Sequence, residues 1–179
     1  MIYFVRHGKT DYNKKNLLSG GDIDIPLNSE GKEQAKITAN LLKDVKFDMV
    51  FCSPLIRAKK TCEEIMKFHK NIPVIYDSRI VELKCGKNNG IVSSEFDKYM
   101  FVLCKTPKEG IEETIYEYYN RCADFLKDIC AKYKDKDILV VAHNGVCAMF
   151  KWYFYGEPKE QDLRNYFCEN CEVVEFKFD

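Results

Sequence analysis

Two histidines and two arginines in this chain stand where chemistry on an anion would need them. Arg6-His7-Gly8 closes the apolar run Ile2-Tyr3-Phe4-Val5, and His143 closes a second run, Ile138-Leu139-Val140-Val141-Ala142. In an α/β protein, ligands bind in the crevice beyond the carboxyl ends of the strands. The two imidazoles are therefore placed to face one pocket. Phosphoryl transfer needs positive charge around the non-bridging oxygens, a nucleophile in line and an acid for the leaving oxygen. Arg6 and Arg57 are forked donors suited to phosphate. Arg57 falls in the first turn of a helix that Ser53-Pro54 would open, where free amides favour an anion. A neutral His7 could attack phosphorus and become a phosphohistidine. Its other ring nitrogen would then carry the proton and need an acceptor such as a backbone carbonyl. Glu82, between strand-like sequence and an irregular loop, is placed to protonate the leaving group and then to take a proton from water. No metal or other cofactor is required if arginines and histidines supply the charge. Each residue has a plainer reading as well. A strand-end histidine is often a hydrogen-bonded loop residue, and a lone arginine is often half of a surface ion pair. His69, between Lys67 and Lys70, reads as solvated at a helix end.

The elements that must carry these residues alternate. Residues 2–6 read as a buried strand. Residues 29–43 read as a helix capped by Asn28 or Ser29, with Ala35, Thr38, Leu41 and Leu42 on one face. Residues 48–52 read as a second strand, and the helix opened by Ser53-Pro54 should run to about His69. A short strand over 73–76 follows. Residues 111–133 carry the clearest helical spacing, through Ile115, Tyr118, Tyr119, Cys122, Phe125, Leu126 and Ile129, and that stripe reads as core. A buried strand over 137–142, a helix over 145–155 and an alternating strand over 171–178 complete the chain. The alternation predicts an α/β sandwich with a largely parallel central sheet, in one domain over 1–179. Residues 84–110 are the least regular stretch. They read as a lid or substrate-specificity segment, with Tyr99-Met100-Phe101-Val102 as a short apolar element inside it.

Composition narrows the partners. The chain has 179 residues, 46% hydrophobic and 31% charged, with zero formal net charge. Bulk electrostatics therefore give no argument for nucleic acid or an anionic membrane. No apolar run approaches the roughly 18 residues that would suggest a bilayer span. No signal peptide is read at the N-terminus. The expected partner is a small-molecule phosphate ester, and nothing sets an oligomeric state. Nine cysteines, an odd and scattered set with Cys52, Cys122, Cys130 and Cys147 in apolar patterns, suggest reduced thiols in the cytoplasm. Cys168-x-x-Cys171 stands alone and is weak evidence for zinc or redox chemistry.

Taken together these residues resemble the histidine phosphatase superfamily, also called phosphoglycerate mutase-like. Val5-Arg6-His7-Gly8-Lys9-Thr10-Asp11-Tyr12-Asn13 is similar to its RHGxTxxN signature. Ser19-Gly20 and the stretch Asp24 to Gly31, with Gln34-Ala35, resemble the segment after it. Cys52-Ser53-Pro54-Leu55-Ile56-Arg57-Ala58 with Thr61 resembles SSPLxRAxxT. Arg79-Ile80-Val81-Glu82 with Gly86 and Gly90 resembles the acid-bearing loop, Glu113-Thr114 with Arg121 its glutamate-serine pair and arginine, and Val140 to Gly145 the second histidine motif. The resemblance implies a single three-layer α/β domain with helices on both faces of the central sheet, and His7 as nucleophile. It implies Arg6, Arg57 and His143 around the phosphate, Glu82 as proton donor, and Asn13, Ser19 and Gly20 toward the substrate. Asn144 stands where glycine is common, Asn89 and Lys9 where glutamate is common, and Thr114 where serine is usual. These departures bear on substrate choice, so Asn144 joins the substrate-side candidates. Only about twenty residues separate Gly90 from Glu113, too few for a closing lid. This argues for hydrolysis over the mutase reaction, which must exclude water. The α-ribazole phosphatase branch is one named possibility. The reading from another class is an inactive phosphate-binding module on the same fold.

Overall fold

A computed structural model of the chain describes residues 1–94, 110 and 112–178. Five strands form one sheet: β1 (Ile2–Arg6), β2 (Met49–Cys52), β3 (Val74–Tyr76), β4 (Ile138–Ala142) and β5 (Val173–Phe176). Their spatial order is β3-β2-β4-β1-β5, parallel throughout except for β5, which runs antiparallel on the β1 edge. β4 is buried along its whole length, as a central parallel strand must be when helices cover both faces. Its side chains alternate between two cores. Ile138, Val140 and Ala142 join the core beneath the helices α4 (Ile115–Lys132) and α5 (Asn144–Tyr155). Leu139 and Val141 join the core beneath α2 (Ser29–Leu42) and α3 (Ile56–Met66). The predicted sandwich is therefore the observed one.

The register sets the site. Arg6 pairs with Ala142 and Cys52 with Val141, so β1, β4 and β2 end within one residue of one another. The residues that follow, His7, His143 and Ser53, emerge side by side. The backbone N–H of His7 donates to Ala142 O at 2.9 Å, and that of Ser53 donates to Val141 O at 2.9 Å.

Several local expectations change. Leu41 is 70% exposed and does not share the buried face of α2. α3 begins at Ile56, not at Pro54, and Ser53 is not its cap. The amide of Ile56 donates instead to Asp24 Oδ1 at 2.7 Å. The helix also stops at Met66, and the chain beyond it turns His69 inward against Phe47, ring centroids 4.8 Å apart. His69 is 8% exposed, so it is packed and not solvated. A short helix missed in the sequence, α1 (Asp11–Lys14), is closed by a reciprocal cap between Thr10 and Asn13. Part of the irregular segment is ordered: Gly86–Asn88 form a 3-10 turn, and residues 90–93 hydrogen-bond to 16–18. The apolar element expected at Tyr99–Val102 lies outside the described residues.

Candidate active site

A cleft enclosing about 220 Å³ opens at the carboxyl end of the sheet. Arg6, His7, Asn13, Ser19, Glu82 and Asn144 line it, six of the nine residues singled out from the sequence. The other three stand close behind that lining. The rings of His7 and His143 meet edge to face, with centroids 5.2 Å apart. Arg57 is fully buried, and its guanidinium donates to Gly20 O at 3.0 Å and to Ile23 O at 3.1 Å. It thus fixes the loop that carries Ser19 and Gly20. Lys9 is not part of this lining; its ammonium pairs with Glu30.

The protonation state of His7 follows from its surroundings. Nδ1 sits 2.8 Å from the carbonyl of Gly8, an acceptor only, so Nδ1 carries the proton and Nε2 keeps its lone pair. Burial, reinforced by Arg57 and Arg6, holds the imidazole well below its ordinary pKa. His143 is likewise held low, by burial first and then by Arg57 and His7. Its Nε2 lies 2.7 Å from Ser53 Oγ, which is the role Ser53 takes in place of capping a helix. Both imidazoles are therefore neutral at neutral pH.

Glu82 is held from three sides. Its Oε1 accepts from Tyr118 Oη at 2.6 Å and from the Leu83 amide at 2.9 Å, and its Oε2 accepts from the Gly145 amide at 3.1 Å. Arg121 anchors the backbone beneath it, donating to the carbonyls of Arg79, Val81 and Glu82. Arg121 is itself gripped by Glu113 through a two-pronged ion pair at 2.6 and 2.9 Å. Tyr118 is the residue that sequence reasoning missed here. Its place in a helical stripe marked it as core, and it is 1% exposed, but its hydroxyl ends on the carboxylate.

Buried polar groups in folded proteins nearly always have partners. Five buried side-chain atoms among the described residues have none, and four belong to this site: Arg6 Nε, Arg57 Nε, Ser19 Oγ and His143 Nδ1. Asn13 commits its side-chain oxygen to Thr10, which leaves its amide NH2 for the cleft. Asn144 Oδ1 accepts from the Cys168 amide at 2.9 Å. Cys168 and Cys171 are buried free thiols, and burial pushes the Cys171 thiol up to about 12. No group of three or more His, Cys, Asp or Glu side chains among the described residues could hold a metal ion.

The sequence model of the histidine phosphatase superfamily (branch 1) matches residues 2–179. The chain belongs to that superfamily. Within the superfamily it is 31% identical over 182 residues to the uncharacterized phosphatase PhoE of Bacillus subtilis, covering 99% of this chain and 90% of that protein. It is 40% identical over 141 residues to the fructose-2,6-bisphosphatase TIGAR of Xenopus tropicalis, covering 72% of this chain. The match spans only 49% of that relative's length. Among solved structures, the phosphoserine phosphatase of Entamoeba histolytica in complex with 3-phosphoglyceric acid superposes with a TM-score of 0.81 at 22% identity, covering 96% of this chain and 87% of that one. The α-ribazole phosphatase of Shigella flexneri gives 0.78 at 26% identity, covering 96% of this chain and 87% of that one. The shared histidine phosphatase fold is the α/β sandwich described above.

Proposed function

We propose that this chain hydrolyses phosphate monoesters of small metabolites through a phosphohistidine at His7. The observation that carries the reading is a neutral, buried His7 whose Nδ1 proton is tied to Gly8 O, which leaves Nε2 as the nucleophile. In the first step the Nε2 lone pair attacks phosphorus, the bond to the ester oxygen breaks, and Glu82 gives that oxygen a proton. Arg6 and Arg57, each with a spare buried Nε–H, balance the charge on the non-bridging oxygens, and neutral His143 faces the same group with its Nδ1 unpartnered. Asn13, Ser19, Gly20 and Asn144 border the substrate. In the second step Glu82, now a carboxylate, takes a proton from water. The water oxygen bonds to phosphorus and the N–P bond breaks, which releases inorganic phosphate and restores neutral His7. The charge comes from side chains, so the reaction needs no metal. The names of the relatives, phosphatases on several phosphorylated metabolites, support the same class without fixing one substrate. The described cysteines are free and mostly buried, which fits a reducing cytoplasm. No helix among the described residues is long and apolar enough to cross a membrane.

The test is a phosphoenzyme trap. Wild-type protein quenched during turnover of 4-nitrophenyl phosphate should carry an acid-labile, alkali-stable phosphoryl label. His7→Ala should lose the label and at least ~10³-fold of turnover. Full activity in His7→Ala, or an acid-stable label, would overturn the assignment.

A further inference from the structure

We infer that the alcohol carried by the phosphate ester is apolar and uncharged, and that Met149, Leu163 and Phe167 recognise it. The inference takes its phosphomonoester substrate from the reading above. The cleft lining holds two kinds of residue, with Leu17 and Leu18 on the polar side as well. Beside the polar set around His7 lies an apolar set: Leu83, Ile115, Ala148, Met149, Leu163 and Phe167. The change of character is abrupt. Leu83 follows the proton donor Glu82 directly. Along α5 the lining passes from Asn144 and Gly145 to Ala148 and Met149 in a four-residue step, just over one helical turn and a rise of about 6 Å. Apolar wall therefore begins within a few ångströms of the groups that handle phosphate, which is where the first carbons of the leaving alcohol must lie.

The charges point the same way. Among the described lining residues the only basic side chains are Arg6 and His7, and the only acidic one is Glu82. A carboxylate or second phosphate on the alcohol would lose water against this wall with no counter-charge among its described residues to replace it. Cations do occur next door. A more polar groove of about 440 Å³ is lined by Lys9, Lys14, Glu169 and Asn170, and it shares Arg6 and Asn13 with the cleft. A second anionic group would have to turn into that groove. There Lys9 is paired with Glu30 and Glu169 adds a negative charge, so Lys14, which does not line the cleft with the apolar wall, is the lysine left to meet such a group.

Benzyl phosphate and 4-carboxybenzyl phosphate test this directly, because their leaving alcohols are similar in acidity and differ in the charge at the far end. The native protein should favour the benzyl ester by at least ~10-fold in kcat/KM. Calorimetry with benzylphosphonate and 4-carboxybenzylphosphonate, which cannot turn over, should rank the pair the same way. Phe167→Arg, at a half-buried position, should shrink or invert both ratios. Equal or better use of the carboxylated ester, or ratios that Phe167→Arg leaves unmoved, would overturn the inference. Ranked phosphonate binding without turnover of either ester would sink the hydrolase reading while upholding the apolar recognition.

Discussion

Three donors converge on Glu82, and the one from Tyr118 is its shortest contact at 2.6 Å. Such a hydrogen bond contributes about 0.5–1.5 kcal/mol to the neutral acid and about 1.5–3 kcal/mol to the carboxylate that remains once the proton is given. Burial keeps the Tyr118 pKa well above its ordinary value, so the phenol keeps its proton and acts by positioning the carboxyl group. Tyr118→Phe should therefore slow an alkyl phosphate, whose leaving oxygen needs the proton, by ~10- to 100-fold. It should slow 4-nitrophenyl phosphate, whose leaving group needs little help, by no more than ~3-fold. Steady-state kinetics on the two esters decides, and an equal loss on both would mean a structural effect alone. Single residues were unevenly legible. His7, His143 and Glu82 stood at strand ends or in a loop, where polar groups invite a chemical reading. Tyr118 and Ser53 did not. A helical period says which face a tyrosine shares, not what its hydroxyl meets, and a serine before proline reads first as a cap.

At the scale of elements, the start of α5 couples fold to chemistry. Gly145 donates its amide to Glu82, and a Cβ built there would overlap Glu82 Oε1 and Tyr118 Oη. Gly145→Ala must displace one of them. Overpacking of this kind costs about 1–3 kcal/mol. The expected outcome is a loss of at least ~10-fold in kcat/KM on alkyl phosphates, with a fall of a few degrees in the thermal midpoint. Wild-type kinetics in this variant would show that the acid tolerates movement. Long periodic elements such as α4 and β4 were readable because one face or the whole strand is apolar. The start of α3 and the whole of α1 were not. Asp24 caps the first from a distant loop, and four residues are too few to show a period.

For the whole molecule, the buried imidazoles set an acid limit. His7 and His143 are held well below their ordinary pKa in the folded state, and His69 is lowered by burial as well. Below about pH 6.5 the unfolded chain takes up protons that the folded one refuses. Stability is thus full above that pH and falls as the pH drops beneath it. Two fully buried histidines give a slope of up to ~2.7 kcal/mol per pH unit. Denaturant midpoints should decline steadily from pH 7 to pH 5, and a flat profile would contradict neutral buried imidazoles. The layered architecture itself was legible because strand and helix periods alternate along the chain. The ending of β1, β4 and β2 within one residue of one another was not, because register is a property of pairing and no single strand reveals it.

The stretch from Gly20 to Ile23 has no regular secondary structure, yet it is tied on both sides. Arg57 holds two of its carbonyls from within, while Gly20 N donates to Asn89 Oδ1 at 2.7 Å and Gly21 N to Leu83 O at 2.8 Å. Releasing it would strip a buried guanidinium of its partners. The backing of the cleft behind Ser19 is therefore already ordered before any ester arrives. Little conformational entropy remains to be lost there on binding, so more of the binding free energy is left to distinguish the transition state from the ground state.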